Sequence, residues 1–310
     1  MATDTNTPDP SEIVDAEGTA DPSSSLGAKS LDPKNLDPSI HAYAGLSHPD
    51  VGVVLADYVA TVEIQRPPHN FFDFDLIQQI ADIFAAMDED PDCRAIVLAS
   101  QGKAFCAGAN FGTGQADGSG SEDFSEEGFR TTTGELYTQG VRLFSNKKPV
   151  VGAIQGAAVG GGLGLALVPD FRIATPAARF SANFVKLGIH QGFGISVTLP
   201  RLIGQQAAQT MLLTGRRVTG EQALEMGLVD QLVEADELRQ AAQALAAEIA
   251  GNAPLAVMSV RATQRQGLAD AVAAATVHEL KEQQWLRATA DAYEGILAVS
   301  ERRPGNYTGK

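Results

Sequence analysis

The sequence predicts an α/β fold whose carboxy-terminal part is helical. Three observations carry that prediction. Short β-branched runs alternate with helix-length apolar periodicity through the first two thirds of the chain, two of those runs end in turns of small residues, and from Asp236 onward the pattern is helical almost throughout. With 310 residues, 44% of them hydrophobic, the chain is long enough for a substantial core in one large or two modest domains.

Residues 1–48 are rich in Asp, Pro, Ser and Thr and nearly free of large apolar side chains, so they are expected to form a disordered acidic tail. Nine acids stand against Lys29 and Lys34 in residues 1–50, nearly half of the formal net charge of −15. The rest of the chain is still acidic, which argues against a nucleic-acid or anionic-membrane partner. No run of eighteen apolar residues occurs, and no basic stretch followed by an apolar one opens the chain; neither a membrane span nor a secretory signal is expected, and a cytoplasmic protein is. Cys93 and Cys106 are too few for a disulfide framework or a cysteine metal site, and nothing marks a partner that would activate Cys106 as a nucleophile.

Residues 49–250 read as the core. Val51–Leu55 and Val59–Ile64 predict an opening hairpin, broken at Pro67-Pro68. From Asp75, the spacing of Leu76, Ile77, Ile80, Ile83, Phe84 and Met87 predicts a helix that stops before Asp90-Pro91. Arg94–Ser100 reads as a buried strand. Residues 111–134, rich in Gly, Ser, Thr and acids, read as a loop or lid, with Thr131 or Thr132 capping a helix that runs past Leu136 and Leu143. Pro149–Ile154 is a second buried strand. Phe171–Ala174 and Arg179–Ser181 are short strands, Leu187–Gly194 a loop, Thr219–Gln222 a capping box and Asp236–Ala250 an alanine-rich helix. Residues 251–310 form the helical end.

Two stretches carry chemistry. In Gln155-Gly156-Ala157-Ala158-Val159-Gly160-Gly161-Gly162-Leu163-Gly164-Leu165, three adjacent glycines leave the backbone open to close approach, and no Ser, Thr, Asp or Asn caps the apolar run that follows. Its first N–H groups therefore lack a partner that an anion or a polarised carbonyl could supply. The G-x-G-x-x-G dinucleotide spacing fails at Leu165 and Leu167, and no Gly-Lys-Ser or Gly-Lys-Thr follows. Taken alone, the run serves equally well as a tight turn in a crowded core. The second stretch is Lys103-Ala104-Phe105-Cys106-Ala107-Gly108-Ala109-Asn110, again at the end of a buried strand. Two such turns from neighbouring strands could aim two backbone N–H groups at one oxygen.

Together with Asp170–Ala174, Leu199–Gly204, Ala223–Asp230 and the ending Glu301–Lys310, these stretches resemble the crotonase (enoyl-CoA hydratase/isomerase) superfamily over about residues 50–310. The resemblance implies a spiral core of repeated ββα turns, terminal helices that build a homotrimer or homohexamer, and an acyl-CoA substrate, with coenzyme A part of that substrate and no separate cofactor or metal. It implies that the N–H groups of Ala109 and Gly161 hold the thioester oxygen, with Ala107, Gly108, Gly160 and Phe184 lining the site. It also implies that Arg66, Lys103 and Lys310 lie near the nucleotide end, although each reads equally well as solvated surface charge.

The departures from the family matter as much. The two hydratase glutamates align at Gly164 and Phe184, and the aspartate used by the family's hydrolases aligns at Gly192; all three carboxylates are missing. The polar residues left nearby are His190 and Gln191, with Glu126 or Glu127 available from the preceding loop. A histidine can exchange protons near neutrality, while the plainer reading is a loop histidine bonded to backbone or solvent. Two functions stay open at this point: an enzyme of the enoyl-CoA hydratase/isomerase type, or a CoA-thioester-binding protein without turnover.

Overall fold

Val51–Ala56 (β1) and Val59–Ile64 (β2) form the predicted hairpin, paired from Val51 with Ile64 to Ala56 with Val59. Its turn residues Asp57 and Tyr58 both have positive φ, the conformation that matches the twist of two antiparallel strands. The structure is a computed structural model; it describes residues 48–109 and 126–310, so the predicted tail and most of the predicted loop lie outside the described residues.

Phe74–Glu89 (α1) starts at Asp73, whose carboxylate accepts the Leu76 N–H at 2.9 Å, and it buries the six apolar residues whose spacing predicted it. Ala95–Ser100 (β3) then pairs in parallel with β2. Glu126–Phe144 (α2) begins earlier than the expected caps at Thr131 and Thr132, which fall inside the helix. Val150–Ile154 (β4) runs parallel to β3, Phe171–Ala174 (β6) parallel to β4, and the short Gln231–Leu232 (β9) closes the order β1-β2-β3-β4-β6-β9.

A second sheet, which the sequence reading took partly for turn, consists of Ala157–Val159 (β5), Arg179–Ser181 (β7) and Arg217–Thr219 (β8). Between β5 and β6 lies the six-residue helix Gly161–Ala166 (α3). After β7 come a 3₁₀ turn at Asn183–Leu187 and Ile195–Thr214 (α4), broken at Gly204. Gly220–Glu225 (α5) carries the predicted capping box of Thr219 and Gln222.

The large sheet is covered on both faces, which is why its strands read as unbroken apolar runs. Ile96, Leu98, Val150 and Ile154 face a cluster containing Ile80, Phe84 and Leu163. Val97, Ala99, Val151 and Ala153 face Leu238–Ala250 (α6), whose Ala242, Ala246 and Ala250 bring that helix close.

Pro254–Gln264 (α7), Leu268–Leu286 (α8) and Ala290–Ser300 (α9) make the helical end. Helix α7 is tied to the sheet through Asp170. Its carboxylate meets Arg261 at 2.7 Å and Arg265 at 2.8 Å and accepts the Val150 N–H at 2.8 Å; all three side chains are largely buried. Among the described residues no helix is long and apolar enough to cross a membrane.

Removing the Asp170 charge leaves two enclosed guanidinium groups uncompensated. Asp170→Asn is expected to lower stability by about 3 kcal/mol, read as a lower urea midpoint at unchanged slope. A change below about 0.5 kcal/mol, the scale of ordinary surface substitutions, would show that the cluster does not brace the fold.

Candidate active site

Because β3 and β4 are parallel neighbours, both leave the sheet at the same edge. The chain after β3 and the chain after β4 are there laced together. The Cys106 N–H donates to Ala157 O at 3.0 Å and the Val159 N–H to Cys106 O at 3.1 Å, making a parallel bridge between Cys106 and Ala158. This close approach is what the glycines permit. A Cβ on Gly162 would stand 2.1 Å from Cys106 O, and one on Gly108, at φ +85°, would stand 2.7 Å from Val159 O.

Helix α3 has Gly160 as its N-cap, with no side-chain cap, as the sequence predicts. The Gly160 N–H is taken by Ser181 O at 2.9 Å. Among the described residues, the N–H groups of Ala109 and Gly161 have no acceptor. Two turns in backbone contact thus each present a free donor, and an incoming carbonyl oxygen can satisfy both.

A third segment steadies the Ala109 turn. Asn70, fully buried at φ +49°, accepts the Arg66 N–H at 3.1 Å and donates to Gln101 O at 2.6 Å and Ala104 O at 2.8 Å. The Ala107 N–H donates to His69 O at 3.0 Å and the Phe72 N–H to Gly108 O at 2.9 Å. The Phe72 ring lies over Gly161, 2.9 Å from where its Cβ would be. So the structure brings Ala107, Gly108, Ala109, Gly160 and Gly161 together, with Phe184 beside them: its ring tip is 3.8 Å from a Cβ placed on Gly160. Sequence reasoning passed over Asn183. Its Oδ1 is buried without a partner, 3.5 Å from the same Gly160 position.

Side-chain space is also taken at the three positions where the resemblance led to an expected carboxylate. A Cβ on Gly164 would lie 2.8 Å from the Phe193 ring, and one on Gly192 would lie 1.8 Å from Tyr137 Oη. Phe184 is 8% exposed and belongs to the core. The sequence offered no signal for Phe193, since a lone aromatic in a loop shows no periodicity.

His190 and Gln191 sit in a loop braced by α8, and among the described residues no hydrogen bond joins their side chains to the donor turns. His190 Nδ1 is 2.7 Å from Gln191 O, its ring lies edge-on to His278 at 5.8 Å, and its carbonyl accepts from Gln283 Nε2 at 2.9 Å. Gln191 donates to Ser196 Oγ at 3.0 Å. Tyr137 donates to Gln283 Oε1 at 2.9 Å, and burial, reinforced by the Glu279 charge, pushes its phenol well above the usual range. Glu279 itself is fully buried and accepts the Gly194 and Ser196 N–H groups at the start of α4, at 2.7 and 3.0 Å. Glu126 and Glu127 open α2, and their side chains lie outside the described residues.

Of the expected phosphate cations, Arg66 has a different place. It pairs with Asp73 and, at 2.7 Å, with Asp50; these hydrogen bonds outweigh the effect of burial and raise its pKa, while the same contact holds the Asp50 carboxyl below its usual range. Its charge is already compensated. Lys103 and Lys310 are both exposed, and Lys310 ends a segment folded back on α9, its carbonyl accepting the Asp291 N–H at 3.2 Å. Among the described residues no group of three His, Cys, Asp or Glu could hold a metal ion.

Comparison with known proteins follows the same lines. The sequence profile described as Enoyl-CoA hydratase/isomerase matches residues 56–310. The chain is 32% identical over 257 residues to the carnitinyl-CoA dehydratase of Proteus mirabilis, covering 81% of this chain and 95% of that one. It is 32% identical over 258 residues to the crotonyl-CoA hydratase of Syntrophomonas wolfei, with the same two coverages. The structure superposes on that of an enoyl-CoA hydratase/isomerase from Pseudoalteromonas atlantica with a TM-score of 0.73 at 26% identity, covering 84% of this chain and all of the other.

Cys106 lies directly under the paired turns, and burial pushes its thiol up to about 12, as it does that of Cys93. Neither is expected to react with Ellman's reagent at pH 8 in the folded protein, and both should react after unfolding in guanidinium. A native thiol that reacts as fast as free cysteine would return Cys106 to the list of nucleophiles.

Proposed function

The chain belongs to the enoyl-CoA hydratase/isomerase family, and from that premise we propose that it binds an acyl-CoA with the thioester oxygen between the N–H groups of Ala109 and Gly161. What carries the proposal is the pair of unpartnered donors on two turns laced backbone to backbone. Negative charge that develops on that oxygen, as an enolate or a tetrahedral anion, is stabilised where it forms. Each donor of this kind is worth on the order of 3 kcal/mol in the transition state. Lys103 and Lys310 are the cations left to meet the phosphates of coenzyme A, since Arg66 is held by two carboxylates.

The relatives named for hydration and dehydration support chemistry of that class, but the positions to which the resemblance assigns its carboxylates hold Gly164 and Phe184 here. Proton transfer then falls to His190. With Nδ1–H donated to Gln191 O, Nε2 carries the lone pair and can act as base and then acid. Gln191 follows His190 in the loop, and Asn183 supplies a neutral hydrogen-bonding group beside Gly160.

The helical end is proposed to pack between subunits. Leu255, Val260, Val277, Trp285 and Tyr293 are each more than half exposed on α7, α8 and α9, a larger apolar surface than solvent favours.

Crotonyl-CoA hydration is expected to be about a hundredfold or more slower than in a family hydratase that keeps both glutamates, the usual worth of one acid/base group. On whichever enoyl- or hydroxyacyl-CoA is turned over, His190→Ala should lower kcat with little change in KM, and His190→Gln should not restore it. Rapid crotonyl-CoA hydration, or full turnover by His190→Ala, would remove the histidine from the chemistry. Light scattering should give a trimer or hexamer at micromolar concentration; a monomer would leave the apolar faces of α7–α9 unexplained.

A further inference from the structure

We propose that Phe193 is the specificity-determining residue of this site: its ring seals the space above α3 beside the oxyanion donors, and so confines the substrate to acyl groups unbranched near the thioester. The proposal deepens the acyl-CoA reading above and rests on it.

Residue 164 follows the donor Gly161 by three positions, so the two lie on one face of α3. A side chain at 164 would tilt back toward the helix amino terminus, where the acyl carbons next to a bound carbonyl must run. That space is filled. Phe193 comes within 2.8 Å of the position of a Gly164 Cβ and, from the other side, within 2.4 Å of a Gly140 Cβ on α2. Two glycines on two helices thus form a notch that admits this ring and would admit no side chain of their own.

The ring is 2% exposed, and Phe193 holds it there at φ +60°, a conformation that a bulky residue rarely adopts without compensation. Phe72 lies across it edge-on at 4.9 Å, and Tyr137 and Phe144 flank it at 6.4 Å. Phe72, half-buried and lying over Gly161, is the surface an acyl chain meets, and Phe193 is the wall behind it. A methyl branch at the second or third acyl carbon would need the sealed volume. A carboxylate at 164 would need it as well.

Two measurements test this. The first is a thermal-melt cycle on the full chain without ligand. Gly164→Ala should lower the midpoint by several degrees in the wild-type background and change it little in a Phe193→Gly background, because the clash is with that ring. An equal drop in both backgrounds overturns the placement.

The second is calorimetric titration with butyryl-CoA and isovaleryl-CoA. Wild type should bind the straight chain about tenfold more tightly, the scale by which a pocket rejects one extra methyl. In Phe193→Leu and Phe193→Ala that ratio should fall to near one, with butyryl-CoA still bound. An unchanged ratio in both variants overturns this proposal alone. Wild type that binds neither thioester overturns the acyl-CoA reading and this proposal with it.

Discussion

The structure depends on one close approach: the backbone after β3 lies against the backbone after β4 with no side chain between them. Parallel pairing of the two strands brings their ends to the same edge, and the bridge from Cys106 to Ala158 extends that pairing past the sheet. Gly108 and Gly162 are fixed by this contact, since a methyl group at either would strike a carbonyl oxygen. Asn70 and the Arg66 clamp hold the outer turn from the other side. Donors that need no reorganisation when charge appears are what electrostatic stabilisation requires, and the two proposed here are main-chain groups, which no rotamer change can displace.

Around those donors the packing is aromatic. Phe193 and Tyr137 fill the space beside Gly164 and Gly192, Phe184 lies beside Gly160, and the removal of all three from water is nearly complete. The polar groups of this region, Glu279 and Gln283, are spent on the backbone of the 190–196 loop, so that α8 sets the position of His190 and Phe193 together. A buried carboxylate that accepts two N–H groups at a helix start is a fastening rather than a reagent. On the function proposed above, the chemistry left to this protein is that of an oxyanion hole with an apolar wall and a neutral or histidine-based proton path.

Much of this was legible in the sequence, and what was missed has physical causes. The strands covered on both faces announced themselves as unbroken apolar runs, α1 by its period, α5 by its capping box, and the donor turns by glycines without a cap. The short strands β5 and β8 were not legible, because three residues carry no period and their pairing is set by distant partners. The start of α2 was misplaced because Thr131 and Thr132 look like caps yet continue a helix already begun at Glu126. Arg66 looked like a free cation because no regular spacing in the sequence pairs it with Asp50 or Asp73, which reach it from the start of β1 and the cap of α1. Phe193 was silent, since only the three-dimensional notch between Gly140 and Gly164 gives it meaning.

The measurement that bears most directly on the paired donors is the infrared carbonyl stretch of butyryl-CoA, labelled with carbon-13 at the thioester carbon and bound to the protein. Two hydrogen bonds from Ala109 and Gly161 should polarise that bond and move the band to clearly lower frequency than in water. Gly108→Ala, which forces the turns apart, should abolish the shift. A bound thioester whose carbonyl absorbs at its free frequency would contradict the account, because the ligand would then lie somewhere other than between the two N–H groups.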